Sequence, residues 1–418
     1  MSGVIVIASA ILAFSLVSGR LKEGIITPPM AFAVFGLAVG GAGLGLVDID
    51  ISHSTIHVLA EITLVLILFS DAARIDLGLL IRDHNLPIRM LLIAMPLIVL
   101  LGAVLAYVMP LGLSWAEAAL LAAVLAPTDA ALGQSVVSNP KVPVRIRQAL
   151  NVESGLNDGL AVPFVFLFAA LASGSATGDD TTRHVGFALA QITLGPLVGI
   201  AVGWSAARLM DQAVSRGWMA SSFEGAAVLA AAALAYAAAD AIGGNGFIAA
   251  FTAGLLFGFT IKGRCKFLLE FAESEGQLLT LLSFLVFGAA MLPEVAAHVS
   301  WAMILYALLS LTVIRMLPVA VSLIGTGISM TTIGFLGWFG PRGLASILFG
   351  LIVIERMNVP AAGTILTIAV LTVALSIVLH GLSAAPFARL YGDAASAMGD
   401  CAESHAVSEM PTRYGRHV

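Results

Sequence analysis

Residues 150–172 read LNVESGLNDGLAVPFVFLFAALA, an apolar run long enough to cross a bilayer as one helix, and yet it contains Glu153 and Asp158. A carboxylate at bilayer depth costs about 2.5–3.5 kcal/mol even on the scales that penalise it least, so a membrane helix that keeps two of them is expected to use them. This segment predicts a helical membrane protein with functional buried acids.

The composition of the whole chain predicts the same class. Of 418 residues, 59% are hydrophobic and 11% are charged, and the mean hydropathy is +1.02. Soluble domains carry about 25% charged residues. The net charge of −5 and the lack of a basic run argue against a nucleic-acid partner. Cys265 and Cys401 indicate neither a disulfide framework nor a metal site.

Apolar runs of about 17–25 residues, bounded by charged residues or by glycine and proline, mark the membrane spans. We place these spans at 2–18, 25–46, 55–72, 86–109, 113–137, 150–172, 184–207, 222–241, 246–261, 275–292, 298–324, 329–354 and 360–387. The predicted fold class is therefore an all-α integral membrane protein with about thirteen transmembrane helices. No charged leader precedes the first run, so we expect it to remain as a helix and not to be a signal peptide.

Basic residues collect on one side of this thirteen-span arrangement, in the loops that follow odd-numbered spans; only Arg183 and Arg356 lie on the other side. Cytoplasmic loops are enriched in lysine and arginine, so we expect the N-terminus outside and the C-terminus in the cytoplasm, in the plasma or inner cell membrane. Residues 1–387 would form the transmembrane domain. The polar residues 388–418 would form a disordered cytoplasmic tail.

Two spans carry residues that interrupt helices. Span five has Pro127 and Gly133 around Thr128-Asp129, and span twelve has Gly-Pro-Arg-Gly at 340–343. Such breaks survive in a bilayer only where the freed backbone faces protein or water. Because the two spans are seven apart and thus oppositely oriented, they predict inverted-topology repeats. Either break alone is equally well read as a packing feature, but an acid in one and an arginine in the other favour a function.

The sequence predicts that one of the two acids in span six forms a buried ion pair. Glu153 and Asp158 are five residues apart, about 140° around a helix, so each needs its own partner. Arg315 lies in an uninterrupted apolar run without a nearby acid, which makes it the expected partner of Glu153.

Asp158 and Asp129 then remain as carboxylates able to hold a cation or a proton. The hydroxyls of Ser154 and Thr128 and the carbonyls beside the break in span five add the oxygen ligands that alkali cations prefer. Burial favours the protonated form of a carboxylate, so protons can compete with the metal ion. That Asp129 and Asp158 are structural core acids stays open as an alternative.

Four strings carry a resemblance to a known family: Ala-Pro-Thr-Asp at 126–129, the run at 151–159, Gly-Asn-Gly-Phe-Ile-Ala-Ala-Phe at 244–251, and Gly-Pro-Arg-Gly at 340–343. They resemble the monovalent cation:proton antiporters of the NhaP and eukaryotic sodium/proton exchanger kind, over nearly the whole chain. The Glu-Ser-x-x-Asn-Asp motif is the most specific part.

The resemblance implies roles for these residues. Asp158 would be the carboxylate that binds the ion and the proton, assisted by Asp129, Ser154 and the Thr128 carbonyl. Glu153 and Arg315 would form a structural ion pair. Spans five and twelve would be unwound and cross near the site.

The resemblance also implies assembly and stoichiometry. The family is homodimeric, with one bundle forming the dimer contact while the other moves like an elevator; we place the moving, ion-translocating core around spans 4–6 and 11–13. Electrogenic relatives carry a second aspartate where this chain has Asn157, which we include among the binding residues. This difference points to electroneutral one-for-one exchange.

Several residues fit the pattern less closely. Many relatives have proline where this chain has Ala130, which would soften the break in span five. Asp71, at the end of span three, Glu61, in its middle, and Arg342 are candidates for gating or for lining the pathway. Asp71 is equally well read as a helix cap or as a partner of Arg74. The eight histidines show no ligand spacing.

We therefore predict a transporter, not an enzyme, that exchanges sodium (or lithium or potassium) for protons in sodium and pH homeostasis, and potassium/proton exchange is the first alternative. Its partners would be the cation, the proton, the lipid bilayer and a second copy of the chain, with no cofactor. A cation channel and an intramembrane aspartyl enzyme are the alternatives from other classes.

Overall fold

The computed structural model describes residues 2–21, 27–47, 54–75, 78, 80, 85–129, 132–137, 139–173, 181–261, 277–397, 402–404 and 407, and no strand occurs in them. The helices are α1 (Ser2–Leu21), α2 (Pro28–Val39), α3 (Ser54–Ala73), α4 (Asn85–Val108), α5a (Trp115–Val124), α5b (Gln134–Val137), α6 (Val144–Ser173), α7 (Thr181–Ser215), α8 (Glu224–Ala241), α9 (Gly246–Ile261), α10 (Gln277–Ala296), α11 (Trp301–Ser322), α12a (Met330–Trp338), α12b (Leu344–Arg356) and α13 (Ala362–Ala397).

Each of the predicted spans contains helix, which confirms the all-α membrane fold. Among the described residues, 7 helices are long and apolar enough to cross a membrane, namely α4, α6, α7, α8, α10, α11 and α13. α1, α2, α5a, α9 and α12b have shorter apolar stretches. The exact number of crossings therefore stays a prediction.

The second predicted span is wrong in its extent. α2 has 12 residues, and the chain from Gly40 to Val47 turns back on its end. There the amides of Leu44 and Val47 bond the carbonyls of Ala38 and Val39. The glycine-rich sequence permits this turn, because amides can then reach the last helical carbonyls.

The prediction of disorder from residue 388 onward is also wrong for its first ten residues, since α13 continues to Ala397. Ala388, Tyr391 and Ala395 are buried there, at the spacing of one helix face. A short 3₁₀ turn follows at Ala402–Ser404. Apart from residue 407, the tail beyond it lies outside the described residues.

The helices pack in two main groups. α4, α5 and α6 pack with α11, α12 and α13, while α3, α7, α8 and α9 pack with one another. α6 contacts members of both groups. Glycines bring α9 close to α3, because a side chain at Gly254 or Gly258 would collide with the backbone of Phe69 or Ala73.

Both predicted interruptions are present. The first lies between Val124 and Gln134 and the second between Trp338 and Leu344. The two breaks contact each other, since the Asp129 amide donates to the Pro341 carbonyl at 2.7 Å. The region where they meet is the candidate site. That the two helices cross there stays a prediction.

Candidate ion-binding site

The unwound backbone of α5 is held by two side chains of α6. The Ser154 hydroxyl donates to the Thr128 carbonyl at 2.7 Å, and the Asn157 amide donates to the Thr128 hydroxyl at 2.6 Å. All three residues are buried. Ser154 and Asn157 are three residues apart and so lie on one face of α6, which is turned towards the break.

Asp158 lies four residues after Ser154, one turn further along the same face, and is 8% exposed. The next residue, Gly159, has no side chain because one would collide with the ring of Phe251 in α9. Asn245 caps α9 by accepting from the amides of Phe247 and Ile248, both at 3.0 Å. The motif at 244–251 thus starts α9 and closes it against the turn of α6 that carries Asp158.

Asp129 is bound to the second broken helix. Its Oδ2 accepts a hydrogen bond from the Leu344 amide at 3.1 Å, at the start of α12b. A carboxylate is favoured at this position because the N-terminus of a helix carries partial positive charge. Gly343 makes the approach possible, since any side chain there would collide with the Asp129 carboxylate.

Arg342 makes the reciprocal contact with the first broken helix. Its guanidinium is fully buried and donates to the carbonyls of Ala126, Pro127 (3.2 Å) and Ser310 (3.4 Å). The first two carbonyls follow the C-terminus of α5a, which carries partial negative charge. Arg342 thus holds the end of α5a, and the gating or pathway role suggested for it stays a prediction.

Glu153 and Arg315 lie together in the core. Nη1 and Nη2 of Arg315 donate to Oε1 and Oε2 of Glu153 at 2.8 and 2.9 Å. The arginine also donates to the carbonyls of Gly337 (3.1 Å) and Leu336 (3.4 Å), in the last turn of α12a. A side chain at Gly340 would occupy the position of this guanidinium. The Gly-Pro-Arg-Gly motif therefore combines two close approaches with one buried cation.

A cavity adjoins these residues. Three of the predicted cation ligands line it: Thr128, Asp129 and Ser154. The rest of its lining is apolar and comes from Gly133, Val136, Val137, Leu150, Phe339 and Pro341. The cavity thus offers oxygen atoms in a setting where an ion would exchange its water shell for protein ligands.

The structure leaves three predicted residues without a demonstrated place in the site. Asp71 is buried and Glu61 is partly buried, both on α3. Ile75, just beyond α3, reaches van der Waals distance of the Gly155 position at 3.6 Å, so the end of α3 approaches α6 beside Ser154. Gating by Asp71 or Glu61 remains a prediction, and Ala130 lies outside the described residues.

Sequence reasoning missed a polar pair next to the break in α12. Ser376 and His380, both fully buried in α13, bond Arg342 and Trp338 on either side of that break. The available signal was a serine and a histidine four residues apart in a mostly apolar span.

Known proteins resemble this chain. The sodium/hydrogen exchanger family (transmembrane) matches residues 5–390. The K(+)/H(+) antiporter NhaP of Alkalimonas amylolytica is 26% identical over 385 residues, which is 90% of this chain and 64% of that protein. The K(+)/H(+) antiporter NhaP2 of Shewanella sp. (strain ANA-3) is 27% identical over 288 residues, 66% of this chain and 48% of that protein. The chain thus spans less than two thirds of the length of these relatives.

The structure of the sodium proton antiporter MjNhaP1 from Methanocaldococcus jannaschii shares the fold. It superposes with a TM-score of 0.73 over 91% of this chain and 100% of that chain, at 20% sequence identity. Because the family match covers almost the whole sequence, the resemblance carried by the four motifs is confirmed, and the chain belongs to the sodium/hydrogen exchanger family.

Proposed function

We propose that this chain is a secondary active antiporter that exchanges sodium, lithium or potassium for protons across a membrane. The observation that carries the proposal is the face of α6 with Ser154 and Asp158, packed against the unwound Thr128 backbone. Thr128, Asp129 and Ser154 line a cavity at this helix break, and Asp158 lies one turn along α6 from Ser154. Membership of the exchanger family supports the same function.

The charges around the site support one-for-one exchange. Glu153 is paired with Arg315, and the Asp129 carboxylate accepts a hydrogen bond from the Leu344 amide at the start of α12b. Asp158 is then the carboxylate that binds a proton and a cation in turn. A single carboxylate carries either one proton or one monovalent cation, so the exchange is electroneutral. Asn157 contributes a hydrogen bond to Thr128 and no charge.

The similar proteins support both potassium and sodium as the transported cation. The relatives of Alkalimonas and Shewanella are named K(+)/H(+) antiporters, whereas the solved structure from Methanocaldococcus is of a sodium proton antiporter. Oxygen ligands accept either ion, and the selectivity depends on the size of the cavity. We keep sodium as the first candidate and potassium as the alternative.

The exposed apolar surface suits a membrane protein that forms dimers. On α7, Leu197, Trp204 and Leu209 are each more than half exposed, at 63%, 51% and 66%. Such a face is covered by lipid or by a second copy of the chain. We propose a homodimer in the cell membrane with its N-terminus outside, in which the group containing α4–α6 and α11–α13 moves the ion. The role would be sodium and pH homeostasis, without a cofactor and without enzymatic activity.

The test uses purified protein in liposomes that contain a pH-sensitive dye. Adding external sodium, lithium or potassium should change the internal pH in the wild type, and Asp158→Asn should abolish the response. Asp393→Asn is the matched control, because Asp393 is an exposed partner of Lys141 and should leave exchange unchanged. Full exchange by a folded Asp158→Asn protein would refute the proposal.

Voltage separates the antiporter from a channel. With sodium as the driving ion and valinomycin plus equal potassium holding the membrane potential at zero, electroneutral exchange should proceed at the same rate as without the clamp. A sodium current in the absence of proton movement would indicate a channel. Cleavage of a membrane peptide would indicate the intramembrane enzyme.

A further inference from the structure

The break in α12 is bridged by two side chains of α13. On one side of the break, Nε2 of His380 lies 2.9 Å from the carbonyl oxygen of Trp338, the last residue of α12a. On the other side, the Arg342 amide donates to the Ser376 hydroxyl at 2.8 Å. The Ser376 hydroxyl and Nδ1 of His380 are 3.2 Å apart, so the two contacts are connected.

The hydrogen bonds fix the form of the imidazole. A carbonyl only accepts, so Nε2 carries the proton that bonds Trp338. In a neutral imidazole Nδ1 is then an acceptor, and the Ser376 hydroxyl donates to it. The same hydroxyl oxygen accepts from Arg342. The Ser376 carbonyl, also 3.2 Å from Nδ1, cannot donate and so is not the partner of an unprotonated nitrogen.

The surroundings favour this neutral form. His380 is fully buried, and the guanidinium groups of Arg315 and Arg342 act on it as positive charges. Arg315 is neutralised by Glu153, but Arg342 is held by carbonyls alone. A second positive charge on His380 would add repulsion without gaining a carboxylate.

Other elements hold further backbone groups at the break. Arg315, from α11, bonds the carbonyls of Leu336 and Gly337, while Asp129, from α5, bonds the Pro341 carbonyl and the Leu344 amide. α13 bonds two other groups, the Trp338 carbonyl and the Arg342 amide. The Trp338 carbonyl also accepts from the Gly340 amide. The unwound segment is therefore clamped from three helices, and the α13 clamp is the part without a charge.

We propose that Ser376 and His380 are positioning residues for the exchange reaction, which rests on the proposed antiport function. They set the position of Arg342, whose guanidinium holds the end of α5a immediately before Thr128 and Asp129. Without the bridge, the segment from Phe339 to Gly343 gains freedom, and the oxygen ligands beside Asp158 lose their fixed spacing. The cation then binds more weakly while the helices remain assembled.

The experiment compares wild type, Ser376→Ala, His380→Phe and His380→Gln in the liposome exchange assay. Phenylalanine keeps a ring contact with Trp338, whose ring centroid lies 5.0 Å from that of His380, but loses both hydrogen bonds. Glutamine retains a donor and an acceptor and should restore part of the activity. Thr372→Val is the matched control, because the buried Thr372 hydroxyl bonds the Ile368 carbonyl of its own helix and, among the described residues, makes no bond to α12.

We expect the KM for sodium to rise roughly tenfold in Ser376→Ala and His380→Phe, the equivalent of one lost hydrogen bond to a fixed partner. It should not change in Thr372→Val. The double variant should be no worse than the poorer single variant, because both changes break the same bridge. Equal KM values in all variants, or additive effects of the two changes, would overturn the proposal.

A second measurement does not depend on transport. In hydrogen–deuterium exchange, a peptide that covers residues 339–344 should exchange faster in Ser376→Ala, because the Arg342 amide has lost its acceptor. The same peptide should be unchanged in Thr372→Val. If this peptide exchanges at the wild-type rate in Ser376→Ala, the proposed bridge is wrong, even if the wild-type protein transports cations. Absence of exchange by wild type, with the protection difference present, overturns the proposed antiport instead and leaves the bridge standing.

Discussion

The guanidinium of Arg315 and the carboxylate of Glu153 form two parallel hydrogen bonds, at 2.8 and 2.9 Å, inside a core that excludes water from the arginine completely. The same guanidinium bonds the last carbonyls of α12a. Arg315 therefore ties α11, α6 and the break in α12 together, and the pair has a mechanical role besides neutralising two charges.

Breaking this pair should cost stability more than selectivity. Glu153→Gln and Arg315→Ala should each lower the free energy of unfolding by about 3–5 kcal/mol, because a buried charge or its partners lose their compensation. Arg315→Ala should be the more damaging change, since the Gly337 carbonyl also loses its donor. Thermal melting of the purified protein measures this. Lys141→Ala, which breaks an exposed pair, is the control.

The glycines of the break should be intolerant of a methyl group. Gly340→Ala places a carbon where the Arg315 guanidinium lies, and Gly343→Ala places one on the Asp129 carboxylate. Both variants should lose at least about 1–3 kcal/mol of stability and most exchange. Gly334→Ala, with open space around it, should fold and transport normally. Normal exchange by Gly343→Ala would show that the two breaks can separate freely.

Two glycines of α6 provide a similar contrast beside Asp158. Gly159→Ala would collide with the Phe251 ring, whereas Gly155→Ala would meet only Ile75 at an ordinary 3.6 Å. We expect Gly159→Ala to reduce the yield of folded protein and the exchange rate. Gly155→Ala should keep both. Similar behaviour of the two variants would mean that α6 and α9 are not closely packed at this level.

Protons and sodium should compete for the site. If Asp158 holds one or the other, the apparent KM for sodium should rise as the pH falls, by about tenfold per pH unit once the protonated form dominates. The maximal rate at saturating sodium should change far less. Initial rates at several sodium concentrations and pH values measure this. A KM independent of pH would exclude a shared carboxylate.

The end of the chain should stabilise α12a. Glu403 is 2% exposed, and its Oε1 accepts from the Ser329 amide at 2.7 Å and from the Thr332 hydroxyl at 2.8 Å. Arg145 donates to the neighbouring Ala402 carbonyl; burial lowers the pKa of this arginine, and the Glu403 carboxylate partly opposes the change. This contact joins the start of α12a to the start of α6.

Removing the Glu403 carboxylate should therefore lower the melting temperature. Glu403→Ala should cost about 1–3 kcal/mol, because the partly buried Ser329 amide loses its acceptor and the buried Thr332 hydroxyl loses one of its partners. Glu403→Gln keeps an acceptor and should cost less. Truncation after Ser404 retains the contact and should behave like the full chain, whereas truncation after Ala397 should resemble Glu403→Ala. Equal stability of both truncations would contradict a docked Glu403.

Much of the framework could be predicted from the sequence because it depends on local patterns. Apolar run length located the helices, and proline and glycine located both breaks. The pairing of Glu153 with Arg315 followed from the small number of buried charges, each of which needs compensation.

The contacts made to backbone groups could not be predicted in the same way. Arg342 bonds carbonyls, Asp129 bonds an amide, and His380 bonds a carbonyl, and none of these partners is visible as a residue type. The contact of Glu403 with the start of α12a was also not predicted, because the sequence around it was read as a disordered tail. Polar composition indicates disorder only when no apolar face continues through it, and Tyr391 and Ala395 extend such a face.

The length of α13 has a geometric consequence. Its 36 residues extend about 54 Å, whereas the hydrocarbon layer is about 30 Å thick. The helix is therefore longer than the layer is thick, and its last turns pack against α12a, where Tyr391 stacks on Phe335 with the ring centroids 4.0 Å apart. A movement of the end of α13 would therefore carry α12a with it, so a probe attached at the exposed Asp393 would report the motion of both helices.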